Sequence, residues 1–311
     1  MRDAFIRALT ELAAVDERIV LVTGDLGFGV LQDFAARFPN RYINAGVAEQ
    51  NMTAIACGMA LEGFQVYTYS IGNFPTLRCL EQIRNDVCYH DADVKIVSVG
   101  GGFSYGQLGM SHFATEDLAI MRALPNMIVV APSDPWEAAE LTRQVSARRG
   151  PTYLRLDKSA AGLPETSVTL GQSRKVRDGD DVCLIATGGI VEEAVRAADL
   201  LAENGISAAV HAVATVKPLD PALVAAAGAA RAVVVVEEHT IIGGLGGAIA
   251  EACMSAGVAP KRFLRIGLDD IYPTVVGDQR YLRKVYELDA PAIARRTREL
   301  LGAPGGRAGE E

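Results

Sequence analysis

Short β-branched and apolar runs alternate along the chain with longer segments whose apolar positions recur every three or four residues. The runs Ile19–Thr23, Gln65–Tyr69, Lys95–Val99, Met127–Ala131, Asp181–Ala186, Ser207–Ala214, Ala232–Glu237 and Arg262–Ile266 read as strands. Helical spacing predicts helices over Asp3–Val15, Thr76–His90, Pro135–Arg148, Ile190–Glu203 and Leu245–Ala256. Strands joined through helices of that length are parallel, so the class expected is α/β with mostly parallel, doubly wound sheets. Val233-Val234-Val235-Val236 lacks polar alternation, as a strand covered on both faces would.

The pattern breaks once, between about Lys158 and Arg177, where Ala160-Ala161-Gly162-Leu163-Pro164-Glu165-Thr166 reads as a linker. Two domains are expected, over 1–165 and 176–301, followed by a Gly-rich disordered tail over 302–311. The chain has 311 residues, half of them hydrophobic, enough for two cores. A net charge of -8 argues against nonspecific nucleic-acid binding. No apolar stretch reaches transmembrane length and no secretory signal is visible, so no membrane role is expected. The five cysteines are scattered without a C-x-x-C pair. They read as reduced, buried thiols of a cytoplasmic protein, and no protein metal site is expected.

The densest chemical signal is Tyr42-Ile43-Asn44-Ala45-Gly46-Val47-Ala48-Glu49-Gln50-Asn51-Met52, read as a strand end, a tight loop and a helix start. Met52, Ile55, Ala56, Met59 and Ala60 give that helix an apolar face, and Gly63 closes it. Glu49, in the first turn, either complements the helix dipole or aims a carboxyl into a crevice beyond the sheet's carboxyl edge. The segment Asn44 to Met52 resembles the pyrimidine-domain motif of thiamine diphosphate enzymes, and more closely that of transketolase and 1-deoxyxylulose-5-phosphate synthase. The resemblance extends from about Asp3 to Leu301, through Val213–Asp220 and Val236–Gly246 in the second half. It implies a thiamine diphosphate pyrimidine-binding fold followed by a transketolase C-terminal-like domain.

The resemblance also assigns roles. Glu49 would hydrogen-bond the aminopyrimidine ring and share a proton with it, a task suited to a partly buried carboxyl. Phe74, with Tyr69 and Arg78 nearby, would line the pyrimidine, and Asp25 in Thr23-Gly24-Asp25-Leu26-Gly27 would lie near the cofactor. His112 ends the glycine-rich loop Gly100–His112, where the family's histidine faces the thiazolium and the substrate oxygen and can shuttle protons. Lys158 stands where the family carries an arginine for the substrate phosphate, with Arg155 as the other candidate cation. Gly100-Gly101 and Leu108 replace a His-Asp pair and an Asp of typical transketolases, so the usual donor-hydroxyl contacts are partly missing. Glu237, Glu238 and His239 fall in a motif kept for subunit interface and domain packing.

The family's Gly-Asp-Gly…Asn diphosphate and Mg²⁺ motif is absent, and Asp178-Gly179-Asp180 sits in the wrong domain for it. The resemblance thus implies the C-terminal subunit of a split transketolase. Its N-terminal partner would supply the Mg²⁺ ligands, the two would assemble as α2β2, and the substrates would be sugars. Rival readings are the E1 β-subunit of a 2-oxo acid dehydrogenase, a specialised carboligase subunit, or a non-catalytic regulatory subunit. Leu124-Pro125-Asn126-Met127 and Glu237–Thr240 favour transketolase over E1, and the joint presence of Glu49 and His112 disfavours a regulatory subunit.

Overall fold

A computed structural model describes residues 1–302. The expected tail lies outside them except for Gly302, which caps the final helix, Ala290–Leu301, in left-handed backbone. The strands are β1 (Ile19–Thr23), β2 (Tyr42–Asn44), β3 (Gln65–Ile71), β4 (Val94–Val99), β5 (Ile128–Val130), β6 (Thr152–Leu156), β7 (Arg174–Arg177), β8 (Val182–Ala186), β9 (Ala208–Ala212), β10 (Thr215–Lys217), β11 (Ala232–Thr240) and β12 (Phe263–Leu268). They form two sheets, ordered β10-β5-β6-β4-β3-β1-β2 and β12-β11-β8-β9-β7. Only the β10–β5 and β7–β9 pairings are antiparallel. Both lie at sheet edges, around the expected parallel cores.

Alternate residues of β1 serve opposite faces. Val20 and Val22 enter one core with Met52, Ile83 and Ile96, whereas Ile19 and Leu21 enter another with Phe5, Tyr67 and Leu141. In β11, Val234 and Val236 join a core with Ile190 and Ile293. Val233 and Val235 face the other way, into the same core as Val20 and Met52. One hydrophobic core therefore runs through both halves of the chain.

Three strands were not among those expected. β6 sits inside the first sheet between β4 and β5, where Arg155 interrupts its apolar run. β7 and β10 are short edge strands, and β10, from beyond the linker, pairs with β5 of the first sheet. The helix expected over Thr76–His90 is instead a 3₁₀ turn (Leu77–Cys79), a single α-turn (Leu80–Gln82) and a π-helix (Ile83–Cys88). The wider π turn buries Ile83, Val87 and Cys88 together. No helix among the described residues is long and apolar enough to cross a membrane. All five cysteines are free and buried.

Candidate active site

The loops that leave the carboxyl ends of β1, β2, β3, β4 and β6 carry, in turn, Asp25, Glu49, Phe74 with Arg78, Tyr105 with His112, and Lys158. Side chains delivered at this edge of a parallel sheet converge on one crevice.

Glu49 is the first residue of the helix Glu49–Leu61 and only 3% exposed. Its Oε2 accepts a hydrogen bond from Arg78 Nη1 at 2.8 Å. Among the described residues Oε1 accepts none. On this helix Met52, Ala56 and Ala60 are buried as expected, but Ile55 and Met59 are only half-buried, and Thr53 and Cys57 take part in the core face. Gly24 passes so close that a Cβ there would lie 3.3 Å from Glu49 Cγ. Asn44 ties the two loops together. Its Oδ1 accepts from the Asp25 and Gly46 backbone N–H groups at 3.0 Å each, and its Nδ2 donates to Asp25 Oδ1 at 2.8 Å. This clamp holds Asp25 at φ +57, a conformation Asp tolerates better than most residues. Asp25 is thus placed as the keystone of the turn beside Glu49.

From Glu49 a continuous row of contacts crosses the sheet edge. The Arg78 guanidinium lies over the Phe74 ring at 4.8 Å. Phe74 meets His112 edge-on, ring centroids 5.1 Å apart. His112 lies 6.4 Å from Tyr105, and Lys158 Nζ stands 3.6 Å above the Tyr105 ring centre. Glycine at 72 makes the crossing possible: at φ +52 it packs under the His112 carbonyl, which would lie 2.8 Å from a Cβ at that position. His112 Nδ1 is 2.9 Å from Ser111 Oγ, and Nε2 has no partner among the described residues. Burial lowers the His112 pKa, favouring a neutral imidazole able to accept a proton.

Two expected site residues are elsewhere. Tyr69 is 2% exposed and stacks on Phe5, ring centroids 6.2 Å apart, beneath the turn at Gly27. It offers no surface to a ligand, and its position in the strand, with alternate residues facing opposite cores, explains why. Arg155 is 1% exposed and its donors are committed. Nε donates to Asp117 Oδ2 at 2.9 Å, Nη2 donates to the Ala114 and Glu238 carbonyls at 3.0 Å, and Nη1 lies 3.8 Å from Asp157 Oδ1. Arg155 therefore locks the domain interior and does not serve a substrate.

Glu237, Glu238 and His239 belong to the same interior, which corrects the subunit-interface part of their expected role. Glu237 accepts from the Leu245 and Gly246 N–H groups, capping the helix Leu245–Ser255. Glu238 accepts from Phe103 N–H at 2.6 Å, from Gln279 and from the buried Arg283. His239 lies between Ala119 N–H and the Thr240 carbonyl. These contacts fasten the second domain to the base of the glycine-rich loop. Tyr105, Asn44 and Ser111 were not singled out in the sequence. The signal for Tyr105 was an aromatic close to glycines on both sides in a loop of small residues, at Gly102 and Gly106.

The structure thus presents a buried carboxylate and a row of aromatic side chains at one sheet edge of an α/β pair. Residues 1–164 match the transketolase pyrimidine-binding domain and residues 171–293 the transketolase C-terminal domain. A protein of Methanocaldococcus jannaschii, named provisionally as a transketolase C-terminal section, is 41% identical over 96% of this chain and 95% of its own length. A 6-deoxy-6-sulfo-D-fructose transketolase subunit of Clostridium sp. (strain MSTE9) is 36% identical over 96% of this chain and 94% of its own. A solved split-gene transketolase, an inactive β4 tetramer, superposes with a TM-score of 0.85 at 33% identity, covering 97% of this chain and 98% of that one. The chain belongs to the transketolase family and is the C-terminal section of a transketolase-like transferase.

Proposed function

We propose that this chain is the C-terminal subunit of a heteromeric, thiamine diphosphate-dependent transketolase that moves a two-carbon ketol unit from a ketose to an aldehyde. The observation that carries the reading is the row Glu49–Arg78–Phe74–His112–Tyr105–Lys158, which offers a carboxylate, an aromatic face, a proton carrier and a cation along one edge. The residues fit the pyrimidine end of the cofactor: Glu49 is buried with one oxygen free to meet a ring nitrogen, and Phe74 is half-buried beside it. The Gly-Asp-Gly…Asn motif with which the family holds the diphosphate end does not occur in this sequence. We propose that a partner subunit holds the diphosphate and Mg²⁺, with α2β2 as the assembly and the cytoplasm as its location.

When bound, thiamine diphosphate supplies the carbanion that accepts the two-carbon unit. Within this chain, Glu49 holds and releases a proton at the carboxyl that faces the crevice, and Asn44 with Asp25 fixes the loop from which it projects. Arg78 balances the Glu49 charge and covers the Phe74 face. His112, neutral through burial, takes or returns a substrate hydroxyl proton at Nε2. Lys158 seats an anionic end of the sugar, in keeping with the sulfonated sugar in the name of one relative.

Calorimetric titration of thiamine diphosphate with Mg²⁺ tests the reading. Tight binding is expected only when the candidate partner subunit is present, with ketol transfer abolished by Glu49→Gln. Equally tight binding by the chain alone would overturn the assignment of the diphosphate site to a partner.

A further inference from the structure

The loop between β4 and His112 is built around one side chain that the reading above leaves without a task. Gly100 has φ +101, and a Cβ there would collide with Cδ2 and Cε2 of Tyr105. The space beside Gly100 thus belongs to the tyrosine ring. The ring's own backbone is held from below: Gly106 accepts from the Gly277 N–H at 3.2 Å, and a side chain at 106 would strike Gly277 and Leu282. Lys158 is registered against the same loop, because its N–H donates to Ser104 Oγ at 3.2 Å, while Ser104 Oγ donates to the Gly101 carbonyl at 2.8 Å. Backbone and ring together fix the Lys158 ammonium 3.6 Å above the Tyr105 ring centre.

That ammonium has no carboxylate within ion-pair distance among the described residues. The neighbouring Asp157 is committed to Arg155 and to the Gly189 N–H. Among the described residues the ring face is the ammonium's one close electrostatic partner, and Lys158 is exposed. The His112 ring centroid lies 6.4 Å from that of the same tyrosine. Tyr105 thus fixes the spacing between a cation and a proton carrier.

We infer that Tyr105 is a positioning residue: its ring holds the Lys158 ammonium at the edge of the crevice, so that capture of the anionic end of a sugar, phosphate or sulfonate, depends on Tyr105 as well as on Lys158. The inference rests on the ketol-transfer reading for its biological meaning, but the Tyr105–Lys158 couple can be tested without it.

In the assembled enzyme, kinetics with fructose 6-phosphate and with fructose would be compared for wild type, Tyr105→Phe, Tyr105→Leu, Lys158→Met and the Tyr105→Leu/Lys158→Met pair. Losing a partly desolvated cation–π contact should raise KM for the phosphorylated sugar about 5- to 30-fold in Tyr105→Leu, with kcat within twofold. The loss should be several-fold larger for fructose 6-phosphate than for fructose, Tyr105→Phe should retain most of the wild-type KM, and the double variant should be no worse than Lys158→Met. Equal losses of kcat on both sugars, or a full Tyr105→Leu effect in the Lys158→Met background, would overturn the inference. The second arm uses the full chain without catalysis. After reductive ¹³C-methylation, the Lys158 signal should be ring-shifted, should lose that shift in Tyr105→Leu, and should move on titration with inorganic phosphate. Sulfate in parallel tests whether the site distinguishes phosphate from a sulfur oxyanion. A Lys158 signal indifferent to Tyr105→Leu would refute the couple; absence of ketol transfer with the NMR behaviour intact would instead refute the ketol-transfer reading alone.

Discussion

Replacing Glu49 with glutamine separates a catalytic carboxyl from a structural one, because the two roles predict losses of different size in different assays. The carboxyl has one side-chain partner, Arg78, whose side chain is 48% exposed. Glutamine keeps an oxygen that can accept the Arg78 N–H, and the half-exposed guanidinium regains water as it loses the ionic part of the pair. Pairs of this kind contribute about 0–1 kcal/mol, so the cost to stability is about 0.5–1 kcal/mol. For a chain of this size that lowers Tm by about 1–4 °C. Removing a proton carrier costs about 10²- to 10⁴-fold in rate, or about 3–5 kcal/mol in the barrier. The barrier loss therefore exceeds the stability loss several-fold. Thermal unfolding of the chain followed by circular dichroism and turnover of the assembled enzyme at saturating cofactor would be measured on the same preparation. The argument fails if Tm falls by more than about 8 °C with activity tracking the folded fraction, or if the variant retains activity within threefold of wild type.

Arg283→Met should cost about 3–5 kcal/mol, because it leaves the buried Glu238 carboxylate without its guanidinium, whereas exposed Arg295→Met should cost under about 0.5 kcal/mol; urea unfolding compares them. Burial holds the His112 pKa below the ordinary imidazole value of about 6.5, so this group's contribution to stability is fully present above that pH. It is lost as pH falls through that value towards the folded pKa, since the unfolded chain binds the proton first; imidazole NMR titration with His112→Gln for assignment would show a midpoint below 6.5. Asn44→Ala removes three hydrogen bonds around the Asp25 turn and should cost about 1–3 kcal/mol. Activity of the assembled enzyme should fall beyond the loss of folded protein, and unchanged kcat in fully folded variant would show that the clamp does not position Glu49.

The helix start at Glu49 was legible because glycine, a strand end and an apolar period coincide within a few residues, and local chemistry fixes all three. His112, by contrast, was a candidate through the family resemblance of its loop's ending and not through local chemistry. Arg155 was not legible. Its place close to Lys158 made it a candidate cation for the substrate, and only the fold reveals Asp117, contributed by a distant helix, in the interior to pair with it. Tyr69 failed for a related reason. Proximity in sequence to Phe74 says nothing about which face of β3 a side chain takes, and Tyr69 belongs with Phe5 and Tyr67 on the far side. Tyr105 escaped notice because its importance depends on what Gly100 lacks, and an empty volume leaves no mark in a hydropathy pattern.

The pairing of β10 with β5 gives the linker an unexpected status. A cut between residues 160 and 170 would separate the chain into two pieces that still share a sheet edge, a continuous hydrophobic core and the Arg155–Glu238 fastening. Such a nick should leave the pieces associated under native conditions and separable only by denaturant. For inheritance, the consequence is that a gene divided between these two domains would yield two products that each expose part of a shared core until they meet. The pair behaves as a single evolutionary module, even though its sequence announces two.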